Sequence, residues 1–252
     1  MRKVDTEILL NDFAVRSFRD VADRDYISAR MNYKAGLFSQ FLWSSLQAIE
    51  KYLKGILLLN RVPAKNVGHD LGKAIDLISK HAPFELRLDA AQRKFIDHLD
   101  TYGRFRYLET SYFIHGNELW LLDSTVWAVR RYCRVMNYNL PIGKGGGRNM
   151  LEVEIKANID AERTPHQFRI MSGELEKIIG NRKNPARKHL LWLNAHYATR
   201  TRKQMRVPRC FHATNSPLSL RPHILKEVLK YVFLPRDVVQ AFQEKLEKEA
   251  DK

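Results

Sequence analysis

Apolar residues recur at three- and four-residue steps through most of the first 140 positions, most densely between Gly36 and Leu59. There Phe38, Phe41/Leu42, Ser45, Ile49, Tyr52/Leu53 and Ile56 fall on one side of a 3.6-residue period. Trp43, Gln47, Glu50 and Lys54 form a neighbouring stripe, and Lys51 points away from the apolar side. At about 0.8 kcal/mol per buried CH₂, this face supplies a large share of a core, but only if other helices cover it. The flanking segments provide them. Residues 1–17 predict a short leading helix with Ile8, Leu9 and Phe13, and Asp20 or Asp23 caps a second, bearing Val21, Tyr26, Ile27 and Met31. His69 and Asp70 open a third helix that stops before Pro83, a fourth covers Leu88 to Tyr102, and a fifth covers Glu118 to Tyr138. The aromatic stretch from Tyr102 to Asn117, broken by Gly103 and Gly116, predicts irregular structure.

Pro141 to Gly147 is the strongest boundary, because three consecutive glycines cannot hold a helix cheaply. The expected division is a helical bundle over 1–140, a glycine-rich linker over 141–149 and a basic, mostly helical region over 150–252. Leu151 to Ile159 alternates as a strand does, yet Leu151, Ile155 and Ile159 also fit a helix; the pattern admits both. Further helices are expected from Thr164-Pro165 to Gly180, from Asn184-Pro185 through Tyr197, from Pro222 to Phe233 and from Pro235 to Glu249. The fold class is all-α. No apolar run approaches the roughly 20 residues of a membrane span. Cys133 and Cys210 match no metal spacing and read as reduced thiols, and acids interrupt the N-terminal apolar segment, so a soluble, cytoplasmic protein is expected.

The formal net charge of +15 is unevenly spread. Residues 1–140 hold 21 Lys and Arg against 16 acids, whereas 141–252 hold 22 against 12. No acid occurs between Glu176 and Glu227, while twelve Lys or Arg do. A solvated surface normally intersperses the two signs, so this gap points to an anionic partner, and nucleic acid is the commonest.

Four fragments carry a family resemblance. "Q-A-I-E-K-Y-L-K-G-I-L-L" (Gln47 to Leu58), "H-D-L-G-K-A-I-D-L-I" from His69, "D-Y-I-S-A-R" (Asp25 to Arg30) and "L-D-T-Y-G-R-F-R-Y" (Leu99 to Tyr107) occur in the order seen in HEPN domains. The chain resembles that family over roughly residues 18 to 138, departing from it at Gly55, usually Ala, and at Leu108, usually Pro in the nucleotide-binding branch. The resemblance implies an antiparallel helical bundle that pairs as a homodimer, with Trp43, Gln47 and Glu50 on the pairing face. It implies binding of RNA or nucleotide, and a setting in prokaryotic defence or toxin–antitoxin systems, with a nucleotidyltransferase-type protein as a possible partner. It also implies, as an alternative, metal-independent ribonuclease activity through an Arg, four to six residues, then His. No cofactor or metal is called for.

The chemistry of that motif is plain: His moves a proton at a ribose or leaving oxygen, and Arg steadies the phosphate. Arg93/His98, Arg182/His189 and Arg206/His212 fit the spacing, about as many pairs as chance placement of 24 Arg and nine His supplies. Only Arg93/His98 lies in the HEPN-like half, making it the candidate catalytic pair. Arg104, Arg106, Tyr107 and His115 crowd basic and aromatic groups between two helices, a mixture suited to phosphate contact and base stacking. The resemblance associates Arg106 and Tyr107 with nucleotide binding. Lys51 and Lys54 add cations on the core helix. Arg182, Lys183, Arg187, Lys188, Arg200, Arg202, Lys203 and Arg206 form the dense basic region, with Trp192 and Tyr197 among them.

Overall fold

The computed structural model describes residues 5–104, 108–142, 146–198 and 211–250. Helices dominate, as the periodicity requires. α1 (Thr6–Phe13) passes through a π-helical segment, Ala14–Arg19, straight into α2 (Asp20–Lys34). Gly36, at φ 74°, turns the chain into α3 (Phe38–Leu59), the apolar rod of the sequence. Its Phe41, Ile49, Tyr52, Leu53 and Ile56 are fully buried. α2 lies along it, and α4 (Leu71–His81), α5 (Ala90–Tyr102) and α6 (Glu118–Arg130) close the bundle. Gly55 explains one departure from the family pattern. A Cβ there would sit 3.2 Å from the Phe18 Cβ, so the missing side chain lets the π-helical segment approach α3.

Local caps set the next boundaries. Asp70 accepts from the Lys73 amide at the head of α4, and Asp89 with Gln92 forms a reciprocal capping box on α5. Two small antiparallel ribbons accompany the helices. β1 (Tyr112–Ile114) pairs with β4 (His212–Thr214), Ile114 opposite His212, so the aromatic stretch expected to be irregular is partly a strand. β2 (Asn139–Ile142) pairs with β3 (Gly146–Asn149) across the glycine-rich segment.

α7 (Leu151–Asp160) resolves the ambiguous stretch as a helix, since Leu151 and Ile155 reach the bundle core from one face. Several expected helices are shorter. α6 stops at Arg130, and tight turns at Tyr132 and Cys133 follow. The stretch from Thr164 to Gly180 breaks into a 3₁₀ turn at Pro165–Gln167 and α8 (Glu174–Gly180), with Ser172 at φ 58° between them. The helix from Asn184 contracts to α9 (Arg187–Leu191) and ends at Leu193, φ 48°. The reason is visible in the packing: the buried Arg30 guanidinium donates to the carbonyls of His189 and Trp192, and a continued helix would have consumed the Trp192 carbonyl. Beyond β4, short turns α10 (Pro217–Leu220) and α11 (Leu225–Val228) precede α12 (Arg236–Ala250). Leu218, Leu225, Leu234, Val238 and Phe242 form a second, smaller core there.

Buried ion pairs tie residues 170–197 to the bundle. Arg130 of α6 holds Asp23 of α2 at 2.6 Å and Glu176 of α8 at 2.8 Å, and Tyr52 donates to the same Asp23 at 2.6 Å. Arg30 pairs with Asp123, which also accepts from Tyr26 at 2.6 Å. Asn194 then reaches the Tyr26 hydroxyl at 2.8 Å. Leu175, Ile178, Leu190 and Tyr197 consequently share the bundle's core. No helix among the described residues is long and apolar enough to cross a membrane.

Candidate nucleic-acid interface

Two surfaces gather the residue types that nucleic acid requires. The first lies where α5 meets the β1–β4 ribbon. Gly103 ends α5 against α3, because a Cβ there would fall 2.7 Å from the Leu99 carbonyl and 2.9 Å from that of Leu42. This turn leaves His98 and Tyr102 facing Phe113, their ring centroids 5.2 Å from it in each case. His115 lies 5.1 Å from the same ring, and Phe211, 68% exposed, stacks over Phe113 at 6.3 Å. The buried Glu118 carboxylate accepts from the backbone amides of His115 and Gly116 and fixes the turn. His98 is held by the Phe113 backbone, and its buried Nε2 has no hydrogen-bond partner among the described residues. Burial pulls the His98 pKa down, with Glu118 opposing and His115 reinforcing, so its ring is neutral near pH 7. A neutral imidazole can accept a proton, but here the nitrogen lies buried among aromatic rings, so a ligand must first open that packing.

Arg93 is not part of that cluster. It lies exposed five residues before His98 on α5, which puts the two side chains about 140° apart around the helix. Arg104 is tied to Asp100 at 2.7 Å, the contact that most raises its pKa. Arg106 and Tyr107 lie outside the described residues. On α3, Lys51 pairs with Asp25 at 2.5 Å and Lys54 with Glu50 at 2.6 Å. Glu50 is buried and also meets His69 at 2.9 Å, so this stripe is occupied within one chain.

The second surface is the turn from α8 into α9, with the end of α2 beside it. Arg182, Lys183 and Lys188 are exposed and make no salt bridge among the described residues. Arg187 differs, donating to the Ile179 carbonyl at 2.8 Å. Lys34, in the last turn of α2, sits 5.2 Å above the Trp192 ring. The His189 pKa is lowered first by burial and then by the charges of Lys188, Lys34 and Arg30, which marks a field of one sign. Glu176, the last acid before the long gap in the sequence, is already engaged by Arg130. Arg200, Arg202, Lys203 and Arg206 lie outside the described residues.

Residues 15–131 match the family model of the HEPN domain. The chain carries a HEPN domain. Comparison with curated proteins and with solved structures gave no match. The HEPN segment runs from the π-helical segment to the end of α6 and contains the His98 and His115 cluster. The cationic turn at Arg182 to Lys188 lies beyond it. The domain relates the protein to RNA-associated or nuclease-like functions.

Sequence reading missed the roles of Arg30, Arg130, Lys34 and His196. Arg130 carried a usable signal: it interrupts an apolar helical stripe beside Val126, Val129 and Cys133, where a cation must find a buried partner. Nothing local signalled Lys34, which owes its place to a residue 158 positions away.

Proposed function

We propose that the protein binds RNA through its phosphate backbone on the α8–α9 turn and the end of α2. The observation that carries this reading is the set Arg182, Lys183 and Lys188, cations exposed on the turn and the start of α9 and in no salt bridge among the described residues. Such a surface binds by releasing counterions, so affinity falls steeply with salt. Lys34 over Trp192 adds a cation and an aromatic edge to the same face. Titration of a labelled single-stranded RNA at low and at moderate salt, in EDTA, tests it. Tight, salt-sensitive binding is expected, and affinity that ignores salt defeats the reading.

A second reading, metal-independent cleavage, rests on the neutral His98, whose buried Nε2 has no hydrogen-bond partner among the described residues and reaches RNA only if the rings around it open. Because Arg93 points away from His98 within one chain, any phosphate-steadying cation must come from elsewhere, such as a paired copy. The same titration, run as a cleavage assay, separates the readings: RNA shortened by the native protein but not by His98→Ala supports catalysis.

A further inference from the structure

The two faces of the β1–β4 ribbon are unlike. Side chains alternate along a strand, so Phe113 and Ala213 share one face, and Tyr112, Ile114 and His212 share the other. Ile114 is fully buried and His212 meets Phe38 of α3 at 4.9 Å, so the second face looks toward the bundle. The first face ends in solvent. There Phe113 receives His98 and Tyr102 edge-on, and Phe211 lies over it nearly parallel, at 25°. Phe211 and His115, one residue beyond the paired positions on their strands, stand 5.8 Å apart, and both are exposed. Phe211 thus covers Phe113 with one side of its ring and leaves most of its surface in water.

We infer that this face of the ribbon is a stacking shelf for an unpaired base of single-stranded RNA, with Phe211 as its platform and His115 at its edge. The shape fits, because the exposed surface is two flat rings rather than branched aliphatic groups, and every base offers a π-face to a plane. The charge fits as well. β4 lies inside the stretch from Glu176 to Glu227 that contains no acid, and Glu118, close to His115 in sequence, is buried with its carboxylate bonded to the His115 and Gly116 amides. Position joins the shelf to the cationic surface: Tyr33 donates to the Gly116 carbonyl at 2.9 Å, and the next residue, Lys34, sits over Trp192. The last turn of α2 therefore borders both, so one strand can lay phosphates along the cations and a base on Phe211. A duplex keeps its bases paired and stacked inside, which restricts the shelf to an unpaired strand.

The shelf presupposes RNA held at the α8–α9 turn, and its test separates the two. The full chain is titrated, at several salt concentrations in EDTA, with a labelled single-stranded RNA and with the abasic strand of the same length, which keeps only sugar and phosphate. Native protein should hold the base-bearing strand about tenfold more tightly than the abasic one. Phe211→Ala should weaken the base-bearing strand about tenfold, leave the abasic strand unchanged and keep the same salt slope, since no phosphate contact is lost. Phe211→Trp should bind as tightly as native, whereas Phe211→Leu, apolar but not planar, should bind like Phe211→Ala. Arg182→Ala/Lys183→Ala/Lys188→Ala should instead lower the salt slope on both strands. An unaltered Phe211→Ala titration, an equal loss on both strands, or Phe211→Leu binding like native overturns the inference. If native protein holds both strands equally and in a salt-sensitive way, the shelf fails and the backbone reading stands; if it holds neither at low salt, both fail.

Discussion

Arginine does opposite work in two parts of this molecule. Between α2 and α6, Arg30 and Arg130 are fully buried, each locked to an aspartate and to groups from the segment 170–197. On the α8–α9 turn, Arg182 lies exposed beside Lys183, and neither meets a carboxylate among the described residues. The buried arginines fix where the second half of the chain docks, and their charge is not available to a ligand. The exposed ones contribute little to the fold and leave their field in solvent. Net charge alone therefore overstates the surface open to an anion, and the location of each partner carboxylate decides the matter.

The largest effect should come from breaking the buried set. Asp23→Ala leaves Arg130 with Glu176 as its one carboxylate among the described residues and removes the acceptor of Tyr52, and should cost about 3–5 kcal/mol in urea denaturation. If it costs no more than a surface pair, the buried set is not what seats the second half. Replacing both partners by apolar residues, Asp23→Leu with Arg130→Met, should recover part of the loss.

Next in size is an acid-linked loss at His196. Its folded pKa, pushed down by burial to about 4, lies below the 6.5 of an unfolded histidine, so the unfolded chain takes the proton first as pH falls. Stability is intact above pH 6.5 and drains away between 6.5 and 4, by about 3 kcal/mol at most. His196→Phe should flatten that part of the stability–pH curve while leaving the carboxylate region below it.

The exposed cations should barely register in stability but govern binding. Arg182→Ala/Lys183→Ala/Lys188→Ala should lower the slope of log affinity against log salt by about 2 on single-stranded RNA, with melting temperature little changed. The smallest effect is expected at Lys51. Paired with Asp25 at 2.5 Å and half-buried, it should change stability by less than about 1 kcal/mol on mutation to Ala, and RNA affinity not at all. A large drop in RNA affinity there would move the interface to the α3 side and undo the contrast.

Much of the frame was legible beforehand. The three- and four-residue spacing from Phe38 to Ile56, the cap at Asp70 and the apolar spacing from Leu88 to Leu99 marked α3, α4 and α5 to within two residues. These signals are local, so short-range periodicity carries them. The same periodicity overran α6 and α9, because it cannot see that Arg30 requires backbone carbonyls from His189 and Trp192. The candidate site divided in the same way. His98 and His115 were recognisable as chemistry, but their nest with Phe113 and Phe211 depends on β1 pairing with β4 across about a hundred residues.

By itself the sequence determined the central apolar rod, the helices α4 and α5 after it and the acid-free run that makes the second half basic. Only the tertiary structure decided which cations are consumed, which remain exposed, and that His115 and Phe211 meet across one ribbon. The reason is distance along the chain: Arg30 meets an aspartate 93 residues away and Arg130 one 107 residues away. Pairings at such separation are set by how helices pack in space, a relation that no stretch of neighbouring residues encodes.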